Sequence, residues 1–185
     1  VIEHAEPVLR GNNIHHQRMG GIWCHKEARG LYEGNEIHHN AKAGIRIWAL
    51  GDPTFQGNKI HSGRACGILI YEAGKGHFVD NDIYDNKEWN IECKRFATPL
   101  FEKNRIYGAC MGGVFCHGGA GIGAFTSDFT NRDSAITRFT LNDNDIFGNH
   151  GVGINIGDDG VPEIRHNRIY GGNEYTGFGV QNAAI

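Results

Sequence analysis

Residues 52–93 read DPTFQGNKIHSGRACGILIYEAGKGHFVDNDIYDNKEWNIEC. The stretch says nearly the same thing twice, 23 residues apart: Phe55, Asn58, Ile60, Ile68 and Ile70 return as Phe78, Asn81, Ile83, Ile91 and Cys93. Working outward, Asn-x-Ile occurs seven times, at Asn12, Asn35, Asn58, Asn81, Asn104, Asn144 and Asn167, with steps of 23, 23, 23, 23, 40 and 23. A fixed period of this size is the mark of a solenoid, in which each repeat buries its apolar face only against its neighbours.

Aligned on the Asn, the repeat resolves into columns. Three residues before it stand Leu9, Tyr32, Phe55, Phe78, Phe101, Leu141 and Ile164, and two after it always Ile. Ten after it come Ile22, Ile45, Ile68, Ile91, Val114 and Ile154, and twelve after it Cys24, Ile47, Ile70, Cys93, Cys116 and Ile156. That 10/12 spacing is the period of a strand, and no window carries a helical pattern. Three short strands per turn describe an all-β, right-handed parallel β-helix of about seven coils, roughly 34 Å long at about 4.8 Å per coil. The Asn column is expected to occupy a tight turn in the left-handed conformation, its amides laddering from coil to coil.

A longer period overlies the first. Five residues before the Asn the chain reads Pro7, Gly30, Pro53, Gly76, Pro99, Phe139 and Pro162, so all four prolines fall in one column. The residue after the Asn runs Asn13, Glu36, Lys59, Asp82, Arg105, Asp145, Arg168. Opposite charges one rung apart favour this register, and a one-coil slip would stack like charges.

Composition fits one elongated domain over residues 1–185, with 28 Gly among 185 residues and a net charge of −3. Lys and Arg are scattered singly, which argues against a nucleic-acid partner. No apolar run is long enough to span a membrane. The chain begins without Met and inside a repeat, so it is expected to be a fragment of something longer. The five cysteines follow no disulfide spacing, and free thiols in an intracellular compartment are the expectation. Cys93 and Cys116 on adjacent coils are within bridging range.

The alternation of DPTFQGNKIHSGRACGILIYEAGKG with GHFVDNDIYDN closely resembles the β-helix repeats of F-box-only proteins, substrate receptors of cullin-based ubiquitin ligases. The likeness runs through residues 7–117 and resumes at 139–172. It implies a substrate-recognition module, although the chain contains no F-box. Repeats of the same carbohydrate-binding and sugar-hydrolase type also occur in polysaccharide epimerases.

Departures from the repeat are where function would be grafted. The 40-residue step holds 17 extra residues between about Gly118 and Arg138, including Phe125, Phe129 and Arg132. Insertions of this kind project on one face of a solenoid, often the binding face. Positions 11 and 13 after the Asn flank the inward column and so point outward: Trp23/His25, Arg46/Trp48, Leu69/Tyr71, Glu92/Lys94, Phe115/His117, Asn155/Gly157. Exposed aromatics of this density mark an interaction surface, and Trp, Tyr and Arg dominate binding energy at interfaces. His15, His38 and His61 form another outward column, but a ladder of parallel rings does not converge on a metal, so no metal or cofactor is expected.

The acids give the enzyme alternative. Glu92 with Lys94 is one acid/base pair. Asp158 and Asp159 in GDDG resemble the paired aspartates of polygalacturonases, but that family's Gly-His-Gly and Arg-x-Lys elements are absent and His150 precedes the acids. The epimerase motif Asp-Pro-His is missing too, since Asp52-Pro53 is followed by Thr54. The sequence is therefore read as a non-catalytic module presenting Trp23, His25, Arg46, Trp48, Tyr71, Phe115, His117 and the insertion to a protein partner. The alternative is a carbohydrate-active β-helix, a hydrolase, lyase, epimerase or polysaccharide-binding module, which would be extracellular.

Overall fold

The computed structural model describes residues 1–118, 136–157 and 159–172. They contain no helix, and hence none that could cross a membrane. Each coil contributes one short strand to each of three parallel seven-stranded sheets. The first sheet runs from Ile2–Glu3 through Ile22–His25, Ile45–Ile47, Ile68–Ile70, Trp89–Lys94 and Gly112–His117 to Val152–Ile156. The second is centred on the aromatic column Tyr32, Phe55, Phe78, Phe101, and the third on the Ile of Asn-x-Ile. Register is the 23-residue step, with Ile60 opposite Ile83 and Ile68 opposite Ile91, except for 22 at the first strand pair, Ile2 opposite Cys24, and 40 across the insertion, as in Phe101 opposite Leu141.

The core is built of those columns. Ile45, Ile47, Ile60, Ile68, Ile70, Ile83, Phe55, Phe78 and Phe101 are fully buried. The rings of Tyr32, Phe55, Phe78 and Phe101 stack at 4.4, 5.2 and 4.6 Å. Cys24, Cys93 and Cys116 lie in the same core as small hydrophobes. Cys93 and Cys116 are register partners with free thiols.

The Asn column forms the expected ladder, but not for the expected backbone reason. From Asn35 to Asn167 each Asn Oδ1 accepts both the backbone N–H and the side-chain amide of the column Asn before it; at Asn58 and Asn81 both distances are 2.9 Å. Each Nδ2 also donates one coil back, as from Asn81 to the Phe55 carbonyl at 2.9 Å. The left-handed residue is the one before it: Gly11, Gly34, Gly57, Asp80, Lys103, Asp143 and His166 all have φ between 54° and 61°. The Asn side chain is thus spent on three buried hydrogen bonds, which a left-handed turn residue at the surface could not make.

A second amide ladder, not anticipated, closes the turn from the third sheet to the first. Asn40, Asn86 and Asn149 are buried five residues after alternate column Asn, and Asn90 links Asn86 to Asn149. The Pro/Gly alternation also has a local cause. Gly76 has φ of 125°, which proline cannot adopt, and a Cβ there would lie 3.1 Å from Phe78 and 3.2 Å from the Pro53 carbonyl. The outward charges pair along the axis, as in Arg105 with Asp82 at 3.2 Å and Lys26 with Glu3 at 2.9 Å.

Asn104 and Asn144, 40 residues apart, bond at 2.9 Å like any other rung, so the extra residues leave the rod undisturbed. The chain departs after Gly118, whose carbonyl still accepts from Arg95, and is back in register by Thr137 and Arg138. The insertion therefore springs from the end of the strand that carries Phe115 and His117. Phe125, Phe129 and Arg132 lie outside the described residues.

Candidate functional site on the first sheet

The outward side of the first sheet carries the aromatic and charged residues singled out from the sequence, but they turn largely toward one another. His25, Trp48 and Tyr71 stack in one column at 4.1 and 5.8 Å. Trp89, Phe115 and His117 form a second stack at 4.9 and 4.4 Å. Tyr71 is 9% and His25 7% exposed. Rings stacked along the axis hide their faces and show edges, so this surface is not the open apolar patch that the spacing implied. The reason is geometric: inter-strand spacing of about 4.8 Å suits ring stacking, and each coil covers its neighbour.

What this packing leaves available is polar. Arg46 lies over Trp23, Trp48 and Tyr71, its guanidinium carbon 5.2, 5.2 and 5.0 Å from the three ring centres. Neither Arg46 Nε nor the neighbouring Trp23 Nε1 has an acceptor among the described residues. Both nitrogens are covered by the surrounding rings, so they are unmatched donors inside the packed array and cost free energy there. Leu69 separates this group from a second one a coil further along.

That second group is centred on Glu92. Its Oε1 accepts from Lys94 Nζ at 2.6 Å and from His117 Nε2 at 3.2 Å, and its Oε2 from Cys66 Sγ at 3.2 Å. Cys66 also reaches Glu88 Oε2 at 3.3 Å. Burial raises the Glu92 pKa, but Lys94, His117 and the thiol outweigh it, so the carboxyl lies below its ordinary range. Burial and the two carboxylates push the Cys66 thiol far up, which makes it a hydrogen-bond donor and not a nucleophile. Because Glu92 accepts from Nε2–H, the basic nitrogen of neutral His117 is Nδ1. Gly157 follows His117 in the next coil, where a Cβ would come within 3.1 Å of the His117 Cβ.

The sequence-derived candidates divide accordingly. Glu92, Lys94, Phe115 and His117 come together; Trp23, His25, Arg46, Trp48 and Tyr71 form the adjoining group. Cys66, Glu88 and Trp89 were missed. For Cys66 and Trp89 the signal was the column eight residues after the Asn, Gly20, Ala43, Cys66, Trp89, Gly112 and Val152; Glu88 lies one residue before it. Asp159 is apart from both groups, in a left-handed turn with φ of 59° and its carbonyl accepting from Thr137. Asp158 lies outside the described residues. Among the described residues no three His, Cys, Asp or Glu side chains surround a common metal position. Two concavities of about 220 and 240 Å³ lie elsewhere, beside Asn149 and Tyr170 and beside His4 and Arg29.

The sequence matches a family model described as the right handed beta helix region, over residues 1–131. No curated protein matches it. Among solved structures, the periplasmic alginate epimerase AlgG superposes with a TM-score of 0.72 at 14% identity, covering 88% of this chain and 39% of that one. A double mutant of that epimerase gives 0.66 at 13% identity, covering 84% and 39%. The chain thus spans about two fifths of the epimerase's length, and at this identity the likeness is one of fold. The resemblance to F-box-only receptors finds no counterpart in these matches.

Proposed function

The chain belongs to the right-handed β-helix family, and we propose that it is a carbohydrate-active domain whose first-sheet outer face binds an acidic polysaccharide. The observation that carries this reading is the Glu92 cluster. There a half-buried carboxylate, an ammonium and an imidazole meet on an outward strand, whereas in the like grouping of Glu3 with Lys26 and His25 the carboxylate is more exposed. The epimerase's likeness in fold supports a polysaccharide over a protein partner. So does the edge-on packing of the aromatics, which leaves few apolar anchors for a protein interface.

The chemistry of the cluster favours proton abstraction over hydrolysis. Glycoside hydrolysis needs a protonated carboxylic acid opposite a second carboxylate. Glu92 is instead held ionised by Lys94 and His117. In that state it orients His117, as a buried carboxylate orients the imidazole of a catalytic triad, and leaves Nδ1 as general base. The substrate proton it would take is the one on the carbon next to a sugar carboxylate. Lys94 would neutralise that carboxylate and so stabilise the enediolate formed on proton loss. Arg46, two coils away, would hold the carboxylate of a neighbouring sugar unit through the end of its guanidinium. Reprotonation on the opposite face gives epimerisation; expulsion of the glycosidic oxygen gives elimination.

The test is solvent-hydrogen exchange into acidic polysaccharides in D2O, followed by NMR, which registers either outcome. Wild type should exchange the proton beside the carboxylate. His117→Ala should lower the rate about 100-fold or more, the usual worth of a positioned base. Unchanged exchange in His117→Ala and Glu92→Gln would remove the cluster from the reaction. Absence of both exchange and binding on acidic polysaccharides would overturn the reading.

A further inference from the structure

The third sheet carries a constellation that the polysaccharide reading does not use. Its outward column opens with His15, His38 and His61, stacked at 5.0 and 5.1 Å. The next residue in each coil is the left-handed turn residue, and there the chain reads His16, His39, Ser62, Asp85, Gly108, Gly148 and Gly171. Small or turn-favouring residues fill that position in five coils; the two imidazoles, at φ of 53°, are the bulky exceptions. They make a second stack at 5.2 Å, edge-on to the first. Within each coil the two Nδ1 atoms face each other, 2.7 Å apart for His15 and His16 and 2.6 Å for His38 and His39.

The outer nitrogens decide which lone pairs are free. His38 Nε2 lies 2.8 Å from Asn13 Oδ1, and His61 Nε2 lies 3.2 Å from Glu36 Oε1. Both oxygens accept, so Nε2 carries the hydrogen and Nδ1 keeps its lone pair. An imidazole whose far N–H is held by an oxygen is arranged as metal-ligating histidines are. The objection that a single ladder cannot converge applies along one column, but not across the two columns. Two nitrogens this close subtend roughly 80–85° at an ion about 2.0 Å from each, near the right angle of tetragonal coordination and well short of the tetrahedral angle.

We propose that the facing Nδ1 atoms of His38 and His39, with His15 and His16 stacked one rung away, chelate a divalent late transition-metal ion of tetragonal preference, Cu2+ or Ni2+. His39 gives up its Nδ1 hydrogen by holding it on Nε2 instead, and two metal–nitrogen bonds replace the imidazole–imidazole hydrogen bond. Water and, after side-chain rotation, the exposed His15 and His16 fill the remaining positions. Two dications a rung apart would repel strongly, so one ion binds per molecule.

The test is a titration of untagged protein with CuSO4 against glycine as competing chelator, read by calorimetry and electron paramagnetic resonance. One site is expected, with imidazole nitrogen couplings. The double variant His16→Ser/His39→Ser, which copies the residue of the third coil at Ser62, should keep the fold by circular dichroism and weaken this site about 100-fold. His39→Gln alone should weaken it about tenfold, which keeps the test open if the double variant misfolds. The double variant His150→Gln/His166→Gln should leave it unchanged. In a parallel titration Ni2+ should bind more tightly than Zn2+. A tight site that survives loss of His16 and His39, no site in the wild type that outcompetes glycine, or a preference for Zn2+ over Ni2+ would overturn the proposal.

Discussion

At Glu92 desolvation works against ionisation while three donors work for it, and the donors win. A carboxyl whose folded pKa lies below its unfolded one stabilises the fold above the unfolded value and loses that contribution as pH falls through the folded value. The window therefore begins near the ordinary glutamate value of 4.5 and extends below it. Glu92→Gln should be less stable than wild type at pH 7, with the gap closing as pH drops below that value in parallel urea melts. A constant gap across the range would mean that the carboxylate is not the stabilising species. The inward and outward assignments can be tested one residue apart in the same strand. Ile60 is fully buried and Lys59 exposed, so Ile60→Asp should cost several kcal/mol, about enough to unfold the domain, while Lys59→Ala should change stability by less than about 1 kcal/mol.

Along a strand or turn, the ladders carry the specificity of the fold. Asn81→Ala would orphan the buried Asn58 N–H and the Phe55 carbonyl, and about 3 kcal/mol of destabilisation in a thermal melt is expected. Two glycines separate conformation from space. Gly57 has φ of 61° with nothing near a Cβ, whereas Gly76 adds crowding by Phe78 and Pro53. Gly57→Ala should cost about 1 kcal/mol and Gly76→Ala clearly more. At this scale the sequence was most legible, because equivalent residues repeat and inward columns declare themselves by being apolar in every coil. The turn conformations were less so: the side chain that makes the ladder is Asn, but the left-handed residue is its predecessor, whose identity varies from Gly to Lys to His. The contacts of Cys66 with Glu88 and Glu92 were hidden for a related reason, since they join residues 22 to 26 apart whose outward course follows only from the turn geometry.

For the rod as a whole, the repeat explains why 17 extra residues between two coils leave the ladder undisturbed, each coil being held only by its neighbours. It also explains the open character of the site: a parallel sheet's outer face has no walls, and a surface of this kind suits an extended polymer better than a small molecule. That aromatic and charged residues gather on the outer side of the first sheet was visible in the sequence from its residue types. The state of that face was not, because exposure depends on ring stacking between coils, and the expected apolar patch is instead a packed array with Arg46, Lys94 and His117 at its surface. Binding to a polyanion through Arg46 and Lys94 should weaken as salt is raised.

The chain's three tryptophans, Trp23, Trp48 and Trp89, all lie on this face, so their indole N–H signals report on it directly. The decisive measurement is a ¹H–¹⁵N spectrum of the protein titrated with an acidic oligosaccharide and, in parallel, with a neutral one of the same length. The account predicts that the acidic chain moves the indole signals, that Arg46→Ala abolishes the shifts, and that the neutral chain leaves all three in place. Indole signals that stay fixed with the acidic chain, or that move equally with both, would contradict it.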